Sequence, residues 1–222
     1  MALILYGPSW FYGYDSIFAF VFVIITILVS LLSLRAYNFT GDKKYKFFSL
    51  SFLLISVANL VFWFFTSLLV LHVSPQLSAL IGIFDFPFLA YTFLSLMAYM
   101  ILLIIALKID SKKIMLLLMS LSFLFVLFSK QNFLKFHITA FLLLFFLSYQ
   151  FYTNYLENKK INAKVVFTSF YLLTCSEIFY IATVYSSNIF YVVAQALQLI
   201  AYLTLFYLFL RLINYGRKKR KT

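Results

Sequence analysis

Long apolar stretches recur along this chain, separated by short connections that hold most of its charge. Seven stretches are candidates to cross a bilayer: Tyr14 to Tyr37, Phe47 to Leu71, Phe86 to Leu107, Ile114 to Ser129, Phe136 to Leu156, Val165 to Ser186 and Ile189 to Leu212. A hydrocarbon core needs about 20 apolar residues of helix. The fourth stretch is the shortest and is extendable at either end. The connections NFTGDKKYK, KIDSKK, KQNFLK and ENKKINAK are short and polar. The link HVSPQLSALIGIFD is longer, and its Ser74-Pro75 reads as an N-cap with Pro at the first helical position. It begins either a short outer helix or the third span itself, kinked near Pro87.

Composition turns this pattern into a class. Of 222 residues, 65% are hydrophobic and 11% charged, and the mean hydropathy is +1.02. A soluble domain is about half apolar and about a quarter charged, so lipid must be the solvent for most side chains. No polar or Gly/Ser-rich segment divides the chain. One seven-helix domain over residues 1–213 is expected, followed by a basic cytoplasmic tail at 214–222. The opening MALILYGPSWFYGYD lacks a basic n-region and a small-residue cleavage site, so the first span is expected to act as both signal and anchor.

Charge then orients the spans. On one side stand Arg35, Lys43, Lys44, Lys46, Lys108, Lys112, Lys113, Lys159, Lys160, Lys164, Arg211 and the basic residues from Arg217 to Lys221; on the other stand only Lys130 and Lys135. Basic residues stay in the cytoplasm. The expected fold is therefore an all-α integral membrane protein of the cell membrane, a seven-transmembrane-helix bundle, N-out and C-in. The net charge of +12 has the same origin: it implies anionic lipid headgroups at the inner face, and no nucleic acid. A further reading is a 3+1+3 parallel repeat, since SFLLISVANLVF (51–62) aligns without gaps on SFYLLTCSEIFY (169–180), placing Asn59 opposite Glu177.

Few residues carry candidate chemistry. Glu177 lies thirteen residues past Lys164, about 20 Å from the basic edge. A lone carboxylate there costs at least about 2.5 kcal/mol and must face the interior, either as a ligand group or as a polar clamp between helices. Tyr191, Gln195, Gln198 and Tyr202 share one helical face. Asn59 joins them from the second span, and Thr92, Ser95 and Tyr99 from the third. A polar cavity in the outer half, lined by the second, third, sixth and seventh spans, is expected, binding a ligand or holding a ligand-free hydrogen-bond network. Asp15 and Asp85 read as helix caps. His72 and His137 read as interfacial side chains. The 30 Phe and 17 Tyr are taken as compositional bias. A single cysteine, Cys175, precludes an intrachain disulfide. No catalytic motif, metal set or cofactor fingerprint is found, so an enzyme is not expected.

The segment RAYNFTGDKKYKFFSLSFLLISVANLVFWF (35–64) resembles the first inner loop and second helix of prokaryotic seven-transmembrane sensory modules, such as the membrane domains of sensor histidine kinases. AQALQLIAYLTLFYLFLRL (194–212) resembles their last helix. The resemblance implies a sensor or receptor-like scaffold that binds a small or lipidic ligand and signals to a separate cytoplasmic partner, because no output domain follows GRKKRKT. The alternative is a small-solute transporter built on parallel three-helix repeats.

Overall fold

A computed structural model describes residues 7–11, 13–70, 85–107 and 132–219, together with 109, 113, 116 and 120. It is an all-α membrane bundle. A 3-10 turn, Ser9–Phe11, precedes α1 (Tyr14–Thr40), α2 (Lys43–Val70), α3 (Asp85–Ala106), α4 (Asn132–Asn158), α5 (Ile161–Tyr185) and α6 (Ile189–Lys219). Each α-helix carries a stretch long and apolar enough to span a bilayer.

The span count corrects the sequence expectation. Among the described residues there are six candidate spans, not seven. The fourth apolar stretch, Ile114 to Ser129, lies outside the described residues except at 116 and 120. The 3+1+3 repeat presupposed seven spans, and the six among the described residues do not supply that frame. The helix expected at Ser74-Pro75 also lies outside the described residues.

Helix ends follow local chemistry. Gly41 terminates α1 in the left-handed region at φ 70°, and its N–H donates to Tyr37 O at 2.8 Å. Asp42 then caps α2, its Oδ1 accepting from Lys44 N at 3.1 Å while its carbonyl accepts from Tyr45 N at 3.1 Å. The resulting α1–α2 hairpin is zipped by serines. Ser30 Oγ donates to Ser49 O at 2.8 Å, Ser33 Oγ to Tyr45 O at 2.8 Å and Ser56 Oγ to Val23 O at 3.2 Å. Such small polar residues let backbones approach closely where lipid supplies no hydrophobic drive between helices.

Ring contacts set the directions of the helices. Phe22 of α1 and Tyr99 of α3 both meet Tyr202 of α6, whereas Phe11, just ahead of α1, meets Tyr191. Phe88 of α3 meets Phe133 and Phe136 of α4. Helices α1, α3, α4 and α6 therefore run one way, and α2 and α5 the other. The end of α3 and the start of α4 consequently stand at opposite ends of the bundle.

One consequence is a charge asymmetry visible in three dimensions. Arg35, Lys43, Lys44, Lys46, Lys159, Lys160, Lys164 and Arg211 gather at one end, while Lys135 stands at the other. The core between them is built of fully buried Phe52, Ile55, Phe136, Leu144, Phe170, Tyr202 and Leu205. Leu31, Phe64, Phe146, Tyr171 and Tyr207 are more than half exposed and form the lipid-facing surface.

Candidate functional site

Polar side chains converge in the half of the bundle remote from the basic end. In lipid, a helix can present amides and carboxyls only to its neighbours. All nine expected site residues are accordingly buried: Glu177, Gln195, Gln198, Asn59, Tyr191, Tyr202, Thr92, Ser95 and Tyr99.

They divide into two groups. Asn59, Tyr191, Gln195 and Gln198 line a cavity of about 40 Å³, together with Ala19, Phe22, Phe62, Phe88, Tyr91, Phe133, His137 and Tyr180. All six helices contribute, so α1 and α4 are added to the four spans expected. Glu177 stands behind this wall, its Oε2 2.6 Å from His137 Nδ1. Tyr202, Ser95 and Tyr99 instead form supporting hydrogen bonds. Gln198 Nε2 donates to Tyr202 Oη at 3.1 Å, and the Tyr99 and Tyr202 hydroxyls bond to each other. Ser95 bonds to Tyr91. Thr92 is buried beside them, and its Oγ1 has no hydrogen-bond partner within the protein.

The sequence reading missed the centre of this arrangement. His137 was expected at an interface, yet it is 5% exposed and paired with Glu177, itself 3% exposed. Its ring stacks on Tyr180, centroids 4.4 Å apart at 23°, and Phe133 meets its edge at 4.3 Å. Tyr180 Oη then donates to Gln198 Oε1 at 2.9 Å. His137 thus stacks on Tyr180, whose hydroxyl begins a separate hydrogen-bonded chain through Gln198 and Tyr202 to Tyr99. One signal was present: Phe133, Phe136, His137, Ala140 and Leu144 fall at helical spacing on the buried face of α4. His72 lies outside the described residues.

Asp15 also departs from expectation. Gly13, at φ 94°, occupies the N-cap of α1, and no side chain caps the helix. Asp15 sits in the first turn, about nine-tenths buried, close enough to Tyr191 for electrostatic coupling. Its Oδ1 and Gln195 Oε1 are buried without a hydrogen-bond partner in the protein. An unmet buried acceptor costs about 1–3 kcal/mol, so each of these two oxygens is under-satisfied. Phe11 packs on Phe18 and Tyr191 at the same end of the bundle. Among the described residues, no three His, Cys, Asp or Glu side chains gather as a metal site.

No protein-family model, curated protein or solved structure matches this chain. The resemblance to seven-transmembrane sensory modules is therefore corrected: six spans among the described residues and no family match leave that architecture without support. The sensor reading rested on that frame, and the transporter reading on three-helix repeats around a linker helix. Both are set aside with their premises. What remains is the interior itself: a small polar cavity walled by aromatic rings, with a buried imidazole–carboxyl pair in its lining.

Proposed function

We propose that this protein, resident in the cell membrane with its basic end against anionic headgroups, binds and exchanges a proton inside the bundle at His137–Glu177, and that it is not an enzyme. The observation that carries the reading is the 2.6 Å contact between His137 Nδ1 and Glu177 Oε2, buried next to a polar cavity. At that separation the two groups share one proton, whichever partner holds it. With the proton, the pair is neutral overall. Losing it leaves a buried carboxylate, and gaining a second leaves a buried imidazolium beside a neutral acid. Either state costs several kcal/mol in a lipid-surrounded interior (roughly 2.5–3.5 kcal/mol on the mildest scale). Proton occupancy is therefore linked to local packing and hydration. The cavity suits this role, since a water needs about 10–15 Å³ of such space and about 40 Å³ is present.

The groups facing the pair support the same reading. Tyr91 and Tyr99 approach from α3, Tyr180 from α5 and Tyr202 from α6, and each is electrostatically coupled to Glu177. Asp15 of α1 is electrostatically coupled to Tyr191 of the cavity wall, and α2 lines the cavity with Asn59 and Phe62. Hydroxyls dominate this environment, so changes of charge concentrate on the pair and on Asp15.

The test is nitrogen NMR of the histidine rings. The chain has two histidines, and His72→Gln leaves His137 as the sole signal. We expect one ring N–H to exchange with solvent deuterium, and the ring nitrogen shifts and that exchange to change in Glu177→Gln. A ring N–H that never exchanges, or ring signals unaltered in Glu177→Gln, would reduce the pair to a structural strut between α4 and α5.

A further inference from the structure

Most polar groups in the cavity lining are paired within the protein. His137 Nδ1 meets Glu177 Oε2 at 2.6 Å, and Tyr180 Oη donates to Gln198 Oε1 at 2.9 Å. Gln198 Nε2 donates to Tyr202 Oη at 3.1 Å, and Asn59 Nδ2 donates to Ile55 O at 2.8 Å. Gln195 differs. Its side chain bonds to Tyr191, yet its Oε1 is buried with no hydrogen-bond partner within the protein, and the residue is 4% exposed. Gln195 and His137 line the same cavity of about 40 Å³. The chamber thus joins room for a guest to an acceptor in need of a donor.

Three features define that guest. It carries an O–H or N–H, since an amide oxygen only accepts. It is neutral, because no Lys, Arg, Asp or Glu stands in the lining among the described residues, and the imidazole there is matched by Glu177. It is small, since about 40 Å³, at about 10–15 Å³ for each molecule, holds about three waters. Water meets all three conditions. A water bonded to Gln195 keeps a second hydrogen and its lone pairs for its neighbours. A buried water needs about two to four polar partners, and Asn59, Gln198 and Tyr191 add further oxygens to the lining.

Depth favours water as well. Gln195 is six residues past the start of α6 and His137 is five past the start of α4, about 7–9 Å along each helix. Both starts lie at the end remote from the basic residues. Toward the basic end, fully buried Phe52, Leu144, Phe170 and Leu205 fill the core. Bulk water is therefore nearest on the remote side.

We infer that the cavity is a binding site for a cluster of about three ordered waters, anchored by donation to Gln195 Oε1 and in contact with the His137 ring. The work of the cluster rests on proton exchange at His137–Glu177. One water passes a proton to the pair as the pair returns another, so each exchange leaves the proton count of pair and cluster unchanged. The water site itself does not depend on that exchange.

The experiment is water-edited solid-state NMR on the full chain in lipid bilayers, with His72→Gln leaving His137 as the one histidine. Magnetisation from water is read at the carbons of the His137 ring and of the Gln195 side chain, and is expected to reach both. Gln195→Met keeps the length of the side chain and removes the acceptor. It is expected to cut transfer to the His137 ring by at least about fivefold, the loss of occupancy that follows when one hydrogen bond to a guest is removed. Gln195→Glu, which retains an acceptor oxygen, is expected to restore it. Native protein in which neither side chain receives magnetisation from water overturns the inference with no variant required. Transfer unchanged in Gln195→Met overturns the anchor. Water contact beside a His137 ring N–H that never exchanges with deuterium sustains the water site and sinks the proton reading. An exchanging ring in a dry cavity does the reverse.

Discussion

The His137–Glu177 contact makes a quantitative claim that a double-mutant cycle can test. Glu177→Leu and His137→Phe each strand one partner in the bundle, and the double variant replaces both with apolar groups of similar size. The two side chains are 6% and 4% exposed, so little solvent screening reduces their interaction. With charge centres about 4 Å apart and an effective dielectric near 20, an ion pair is worth about 4 kcal/mol. Stranding either partner of a buried pair costs about 3–5 kcal/mol. The double variant leaves no unpaired polar group, so we expect it to be destabilised by less than the sum of the singles.

The size of the coupling also reports the state of the proton. A neutral interhelical hydrogen bond in a membrane couples by about 0.6 kcal/mol and at most about 1.7 kcal/mol. A coupling above about 2 kcal/mol therefore identifies imidazolium and carboxylate, and a smaller one identifies a neutral acid bonded to a neutral ring. Unfolding free energies come from steric trapping in bicelles, which keeps the lipid surroundings that set these values. Singles that add to the double within about 0.5 kcal/mol would refute the argument, because two groups 2.6 Å apart cannot be energetically independent if the contact exists.

Two further outcomes test the frame around the site. Asp42→Ala removes the α2 cap and is expected to cost about 1 kcal/mol. The Lys44 ammonium bonded to Asp42 holds that carboxyl below the usual range, so its contribution is present above about pH 4 and lost as pH falls through the lowered value. Melting curves across acid pH should show this loss in the native protein and not in the variant. Phe52→Ala removes a fully buried ring stacked on Phe48 at 5.5 Å and is expected to cost about 3–5 kcal/mol. The half-exposed Phe64 should tolerate the same change within about 0.5 kcal/mol, and equal effects on melting would show that the lipid-facing surface has been assigned wrongly.

How much of this was legible in the chain depends on which coordinate is asked for. Helical periodicity gives the face a residue occupies, and faces were read correctly wherever lipid forbids the alternative. Tyr191, Gln195, Gln198 and Tyr202 point inward because amides and hydroxyls have no partner in hydrocarbon, and all four are buried. Periodicity does not give height relative to other helices. Thr92, Ser95 and Tyr99 share a face, yet Tyr99 stands seven residues beyond Thr92, about 10 Å further along, and reaches Tyr202 rather than the cavity. The same limit hid His137. Its face was recoverable from Phe133, Phe136 and Ala140, but its partner depends on how α4 and α5 register about the turn at Lys159, held at φ 49°. That register is a tertiary property, fixed by Phe151 on Phe170 at 4.9 Å and Tyr152 on Phe167 at 5.2 Å, well below the site. The aromatic residues that composition alone made uninformative are thus what bring the imidazole and the carboxyl to one level. A polar site inside a membrane bundle is visible in sequence as separate inward-facing residues, and becomes a site only when packing elsewhere sets their heights equal.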